Sequence, residues 1–274
     1  MKTNIDYTNA MHPKEEKSIN ILDILKYLAY HWKWFALSIL VFGTYYYYQY
    51  SKSAFVYRQV ETVMIKTPMN TPATARLTRT NSYLNSVSVA SEVLQLRSKE
   101  LMRQTVSRLG ADISYTVKDG LRRNELYKDA PISLSVEGKT PDSRYSFTVT
   151  PIDAQNVLLS NWGAGIKGAD QKIALNKVVK TPIGNVKITP NLNYGKAYFG
   201  EEILVTKAPR EVVANQFVSN LTITQMEDDA NLLQIALEDQ NPDRAADVIT
   251  ALITVYNEVS LADKNQIAVN TADF

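Results

Sequence analysis

Apolar and polar positions are unevenly spread along the chain, and one stretch stands apart: Trp32–Tyr50, WKWFALSILVFGTYYYYQY. It holds no charge from Trp34 to Tyr48. As a helix it rises about 28 Å, close to the ~30 Å hydrocarbon thickness of a bilayer. Aromatic residues crowd both ends, with Trp32, Trp34 and Phe35 before the apolar middle and Tyr45 to Tyr48 and Tyr50 after it. Rings that carry one polar atom settle at the headgroup level. The pattern predicts a transmembrane helix over 32–50, anchored by Trp32, Trp34, Tyr47 and Tyr48, with Lys33 and Lys52 reaching the phosphates. A core helix of a soluble protein needs no aromatic girdle at each end. A cleaved leader would start earlier and be followed by a small-residue cleavage site, which is missing here.

Residues 1–17 are polar and mixed in charge and read as a loose tail. In SINILDILKYLAYHW the positions Ile21, Leu22, Ile24, Leu25 and Leu28 recur at helical spacing. This is either an amphipathic helix lying on the membrane or a two-turn extension of the span. After the span, Phe55–Lys66 alternates as a strand, and 67–82 reads as a loop. Ser86–Leu96 is expected to be helical. Ser98 caps a second helix, KELMRQTVSRL, that buries Leu101, Met102, Val106 and Leu109 and stops at Gly110. Strands are expected at Ile113–Val117, Pro131–Glu137, Tyr145–Thr150, Val157–Trp162, Gln171–Leu175, Val186–Thr189 and Ile203–Lys207. The turn TPDS between the second and third of these predicts an antiparallel hairpin or meander, and TPIG at 181–184 is a turn before Val186. Pro209 opens a helix to about Ser219, and Leu221–Gln225 and Leu232–Glu238 alternate as strands.

Asn241 is a good N-cap, Pro242 suits the first helical position, and Asp243 adds negative charge to the first turn. The helix that follows carries a stripe, Ala245, Ile249, Leu252, Tyr256 and Val259, at steps of four and three. The same steps then land on Asp263, Gln266 and Asn270. The stripe fades although no Gly or Pro stops the helix, so its outer half is expected to project or to pack sideways on partner helices. The chain stops in mid-pattern at Phe274, as a fragment would. The expected organisation is a 1–31 arm, a 32–50 span, a 51–241 domain and the start of a long helix at 242–274. The fold class is α+β, with an N-terminal transmembrane helix, an extracytoplasmic α/β sandwich-like domain and a long C-terminal helix.

Charge changes this picture little. There are 30 basic and 28 acidic residues, a formal net charge of +2, which is no nucleic-acid footprint. Counting cations near the span gives Lys17, Lys26 and Lys33 before it and Lys52, Arg58 and Lys66 after it, so charge leaves its orientation open. The chain has no cysteine, and its two histidines are His12 and His31. The large domain therefore has no thiolate zinc site and no imidazole for a Ser-His-Asp triad.

Gly163, Gly165 and Gly168 form a G-x-G-x-x-G, but little helical period follows and no acid stands between Asp170 and Glu201, so a hairpin loop is the better reading. No G-x-x-x-x-G-K-[ST] occurs. Glu201/Glu202 and Asp228/Asp229 are adjacent pairs that point apart in a strand and read as solvated turns. Asp239 and Asp243 are read as capping and dipole partners of the last helix. Asn220-Leu-Thr222 matches a glycosylation acceptor too short to weigh. No catalytic, cofactor-binding or metal-binding residue is expected, and no cofactor.

In combination, INILDILKYLAYHWKW, the span and FVYRQVETVMI resemble the N-terminal region of the chain-length determinant (Wzz-type) polysaccharide co-polymerases. SEVLQLRSKELMRQTVSRLG is similar to that family's first periplasmic helix. LLQIALEDQNPDRAADVITALITVYNEVSLADKNQIAVNTADF, an aliphatic strand, an Asn-Pro turn and an Ala-rich helix with Leu-Ile-x-x-Tyr-Asn, is similar to its later pattern. The resemblance covers about 18–66 and 85–274. It implies a cytoplasmic arm and a domain outside the bacterial inner membrane. It also implies a helical hairpin, a second span and a ring of subunits that sets polymer length with a polysaccharide polymerase. Many relatives carry a cytoplasmic tyrosine autokinase, so the alternative is the sensory or scaffold half of such a kinase. The extra strands of 111–180 point to that larger type. Structural weight is expected at Asn241, Pro242, Ile249, Leu252, Tyr256 and Val259. The expected partners are further copies of the chain, the polymerase, the polysaccharide and lipid.

Overall fold

The computed structural model describes residues 21–65, 89–138, 142–226 and 232–272. The expected tail at 1–17, the loop at 67–82 and the pair Asp228/Asp229 lie outside them, as do parts of the Ser86–Leu96 helix and the TPDS turn. The fold is mixed α/β, with six helices and three antiparallel sheets among the described residues. The chain divides into two compact units, one ending at Lys52 and one beginning at Ser53.

The first unit holds α1 (Ile21–Tyr30) and α2 (Trp32–Lys52). A turn at His31 separates them, yet the His31 amide still donates to the Tyr27 carbonyl at 3.1 Å, so the helical path is nearly unbroken. Both helices form from residues without Pro, and Gly43 is the single glycine. None of the 21 residues of α2 is buried. Leu37, Ile39, Leu40, Val41 and Phe42 lie exposed around its whole circumference.

The second unit begins with β1 (Tyr57–Met64), a helix α3 over 89–96, and α4 (Lys99–Leu109). Ser98 accepts the Leu101 amide at 3.2 Å, and Gly110 adopts the left-handed φ of 61° that ends α4. Next come β2 (Ile113–Asp119), β3 (Arg122–Glu125), β4 (Ile132–Glu137), β5 (Tyr145–Pro151), β6 (Asn156–Ser160) and β7 (Gln171–Ala174). They are followed by β8 (Val178–Thr181), β9 (Gly184–Pro190), β10 (Ile203–Lys207), α5 (Arg210–Asn220), β11 (Leu221–Gln225), β12 (Leu232–Asp239) and α6 (Pro242–Ala272).

Two apolar cores result. In the first, helices cover the sheet β1-β12-β11: Met102, Val106 and Phe217 meet Leu233, Ile235, Leu237, Ile249 and Leu252. In the second, the sheet β4-β9-β8 and the sheet β3-β2-β10-β5-β6-β7 share one cluster that includes Ile132, Ile188, Phe147, Leu159 and Val205.

One expectation is corrected. Strands β4 and β5 do not form a hairpin: β4 pairs with β9, and β5 pairs with β6 and β10. Ile132, Leu134, Tyr145, Phe147 and Val149, at alternate positions of the two strands, are all buried in the same core. They belong to different sheets that contribute to one cluster, and the connection over 138–144 is far longer than a two-residue turn. Strands β3 and β8 were not anticipated.

By length and mean hydropathy, the described stretch apolar enough to cross a membrane is Pro242–Asp263 of α6 and not α2. Tyrosine counts as polar on that index, which lowers α2. In the α6 stretch, Ala245, Val248, Ile249, Leu252 and Val255 are buried in the first core, so its apolarity belongs to packing.

Candidate functional site

The chemistry of the second unit concentrates where α6 starts. Asn241 Oδ1 accepts the Arg244 amide at 3.0 Å, and Asn241 Nδ2 donates to the Glu125 carbonyl at 3.1 Å. Pro242 follows with no amide hydrogen to satisfy. Asp239, the last residue of β12, accepts from the Asn241 amide at 2.8 Å and from Arg244 Nε and Nη2 at 3.0 and 3.1 Å. Arg244 Nη1 also lies 3.2 Å from Glu125 at the end of β3. Glu125 further accepts from the Tyr115 amide at 3.1 Å and from the Ser114 hydroxyl. One guanidinium thus ties together a strand of each core and the first turn of α6. Its side chain is 13% exposed, and the two carboxylates are 3% and 5% exposed.

A second buried pair stands nearby. Lys207, which ends β10, donates to Asp112 at 2.5 Å, and Arg210 Nε donates to the same carboxylate at 3.0 Å. Asp112, Glu125, Asp239 and Arg244 line a cavity of about 340 Å³. The polar groups lie between the two apolar cores, and each carboxylate has cationic or amide donors, as burial requires.

Further along α6, Asp247 accepts from the Tyr127 hydroxyl at 2.7 Å and from Lys128 Nζ at 3.0 Å. Tyr127 is held at a φ of 47°, uncommon for a non-glycine residue. Burial alone would raise the Asp247 carboxyl, but the bonds from Lys128 and Tyr127 outweigh it and hold it below its usual value. Burial first, then the Asp247 carboxylate, pushes the Tyr127 phenol well above its usual range. Tyr256 donates to Glu92 of α3 and is raised for the same two reasons. Arg108 of α4 clasps Glu258 at 2.7 Å on the surface.

Among the anticipated residues, Asn241, Ile249 and Leu252 are buried, Tyr256 and Val259 are half-buried, and Pro242 is exposed at the helix start. Asp263 and Gln266, where the stripe fades, are exposed. Trp32, Trp34, Tyr47 and Tyr48 all lie exposed on α2. The G-x-G-x-x-G loop is packed: a Cβ on Gly163 would meet Ser146 Oγ at 2.2 Å, and one on Gly168 would meet the Trp162 ring at 2.8 Å. Asn220 donates to the Glu238 carbonyl at 3.2 Å, and Glu201 and Glu202 are exposed. No group of three or more metal-ligating side chains occurs among the described residues.

The sequence reading passed over Glu125, Arg244, Asp112 and Lys207. Two signals were present. In ILVTK, Lys207 shares a face with Ile203 and Val205, and in LLQIALED, Asp239 shares a face with Leu233, Ile235 and Leu237. The arrangement can hold α6 at a set angle to both cores. Compared with known proteins, the chain matches no family model and no curated sequence.

Proposed function

We propose that this chain is a membrane-anchored polysaccharide co-polymerase of the bacterial inner membrane, acting by assembly without catalysis of its own. In this reading α2 crosses the bilayer and the second unit stands outside the cytoplasm. Copies of the chain associate and regulate the length or export of capsular, exo- or O-antigen polysaccharide with a polymerase. The observation that carries the reading is α2: 21 helical residues, uncharged from Trp34 to Tyr48, aromatic at both ends and nowhere buried. A soluble helix hides at least one apolar face, and this one hides none. The seat of α6 supports the mechanical part, because a helix of 31 residues, about 46 Å, is fixed at one end by buried ion pairs. Beyond Val255 no described side chain of α6 is buried, which leaves that length for neighbouring copies.

Deletion in the native host tests this. The expected result is an altered amount or length distribution of surface polysaccharide on a gel, and an unchanged distribution rejects the reading. A second reading is the extracytoplasmic half of a tyrosine autokinase. The separate second core formed by β2 to β10 favours it, since the larger, kinase-linked type is expected to carry such an addition. A Walker-type motif in the coding sequence after Phe274 supports this second reading, and a stop soon after a further span excludes it.

A further inference from the structure

The hairpin β2–β3 carries an arrangement that neither core explains. Its register sets Lys118 directly opposite Arg123. Like charges facing each other across an antiparallel pair repel. Both side chains are exposed, and neither takes part in an ion pair among the described residues. Glu202 lines the same concavity without pairing to either, and Asp119 is engaged by Asn124 Nδ2 at 3.3 Å. At the tip, Gly120 takes the left-handed φ of 60° and turns Leu121 outward, 55% exposed. The next residue, Arg122, stacks its guanidinium 4.1 Å above the Phe55 ring. Phe55 is three residues past Lys52, the end of α2, so the chain holds it within about 10 Å of that point. Phe55 and Val56 are themselves exposed, at 49% and 64%.

We propose that the tip of this hairpin is a lipid contact. Leu121 enters the headgroup region, and Lys118 and Arg123 bind the phosphates of anionic phospholipids, with Arg122 braced on Phe55. The inference rests on α2 crossing the bilayer, since the short tether then bounds how far Phe55, on which Arg122 stacks, can stand from the membrane surface. An apolar tip inside a cationic collar is the chemistry of an interfacial anchor. The anionic headgroups relieve the repulsion between Lys118 and Arg123.

The absence of cysteine from the chain allows a clean test. The full-length Leu121→Cys variant is labelled with a polarity-sensitive dye and reconstituted in vesicles of phosphatidylcholine, with or without phosphatidylglycerol. Leu261→Cys, on the exposed part of α6, is the control. The dye at 121 is expected to shift to the blue and to be quenched by spin-labelled lipid, more strongly in the anionic vesicles, while the dye at 261 is not quenched by the lipid whether or not copies associate. Each cation near an anionic surface favours docking by about fivefold, so Lys118→Gln with Arg123→Gln lowers the docked ratio by roughly 25-fold. An alkaline wash separates the two claims. Protein released by the wash refutes the span itself. Retained protein with a dye at 121 that ignores lipid charge refutes the lipid contact alone. A dye that responds to soluble anionic polysaccharide and not to lipid reassigns the two cations to the polymer and overturns the proposal.

Discussion

Arg244 reaches Asp239 and Glu125 together while almost wholly enclosed. Replacing it with leucine leaves two buried carboxylates without their cation, a loss of about 3–5 kcal/mol. Arg108→Ala breaks an exposed, solvent-screened pair with Glu258 and should change stability far less. Urea denaturation of the detergent-solubilised full chain measures both, and equal effects would contradict a special role for Arg244. Asn241→Ala removes the helix cap and the bond to the Glu125 carbonyl, and a loss of about 1–2 kcal/mol is expected in the same assay. The tyrosines add a pH dependence. Burial pushes Tyr145 up to about 12, and Tyr127 and Tyr256 are raised by burial and by the carboxylates they donate to. An unfolded tyrosine ionises near 10. Because the folded values are higher, these groups contribute stability that is fully present below about pH 10. It is lost as pH rises through the folded values. Alkaline melts followed by tyrosinate absorbance should show late ionisation and a falling melting temperature above that point. Asp247 works in the opposite sense. Its folded value is depressed, so its contribution is present above about pH 4 and is lost as pH falls below.

Among the elements, α6 shows how unevenly one helix is loaded. Leu252 is buried in the first core, and Leu252→Ala should cost about 2–5 kcal/mol by leaving a cavity. Leu261 is 61% exposed, and Leu261→Ala should be near neutral in the isolated chain. In α2, Leu40→Arg places a charge at the middle of the apolar stretch, about 3 kcal/mol against insertion. Less protein should then reach the membrane fraction. The elements differ in how plainly the chain announced them. The caps Ser98 and Asn241, the stop at Gly110 and the stripe of α6 were readable because each depends on a few neighbouring residues. Strand β3, RRNE, has no apolar alternation and exists because β2 offers it an edge. Strand β8, VVKT, pairs with β9 across the TPIG turn, and its small size hid it. The β4–β5 hairpin was misread because alternation reports which face is buried and not which strand lies alongside. The seat of α6 was hidden because charge reads as surface. Only the inward positions of Lys207 and Asp239 on their strands revealed it.

For the whole molecule, two apolar cores meet at a polar seam, and the long helix is rooted in that seam. The bonds from Arg244 to Asp239 and Glu125 and from Asn241 to the Glu125 carbonyl tie the start of α6 to strands of both cores. The account joins this body to a helix that crosses lipid, so residues before α2 and residues of α6 must lie on opposite sides of the membrane. Single cysteines introduced into the otherwise cysteine-free chain give the most direct test. Lys2→Cys and Asp263→Cys variants are treated with a membrane-impermeant thiol reagent in intact spheroplasts and again after lysis. The account predicts that Asp263→Cys reacts in intact spheroplasts and Lys2→Cys reacts only after lysis. Labelling of both before lysis, or of neither, would contradict it.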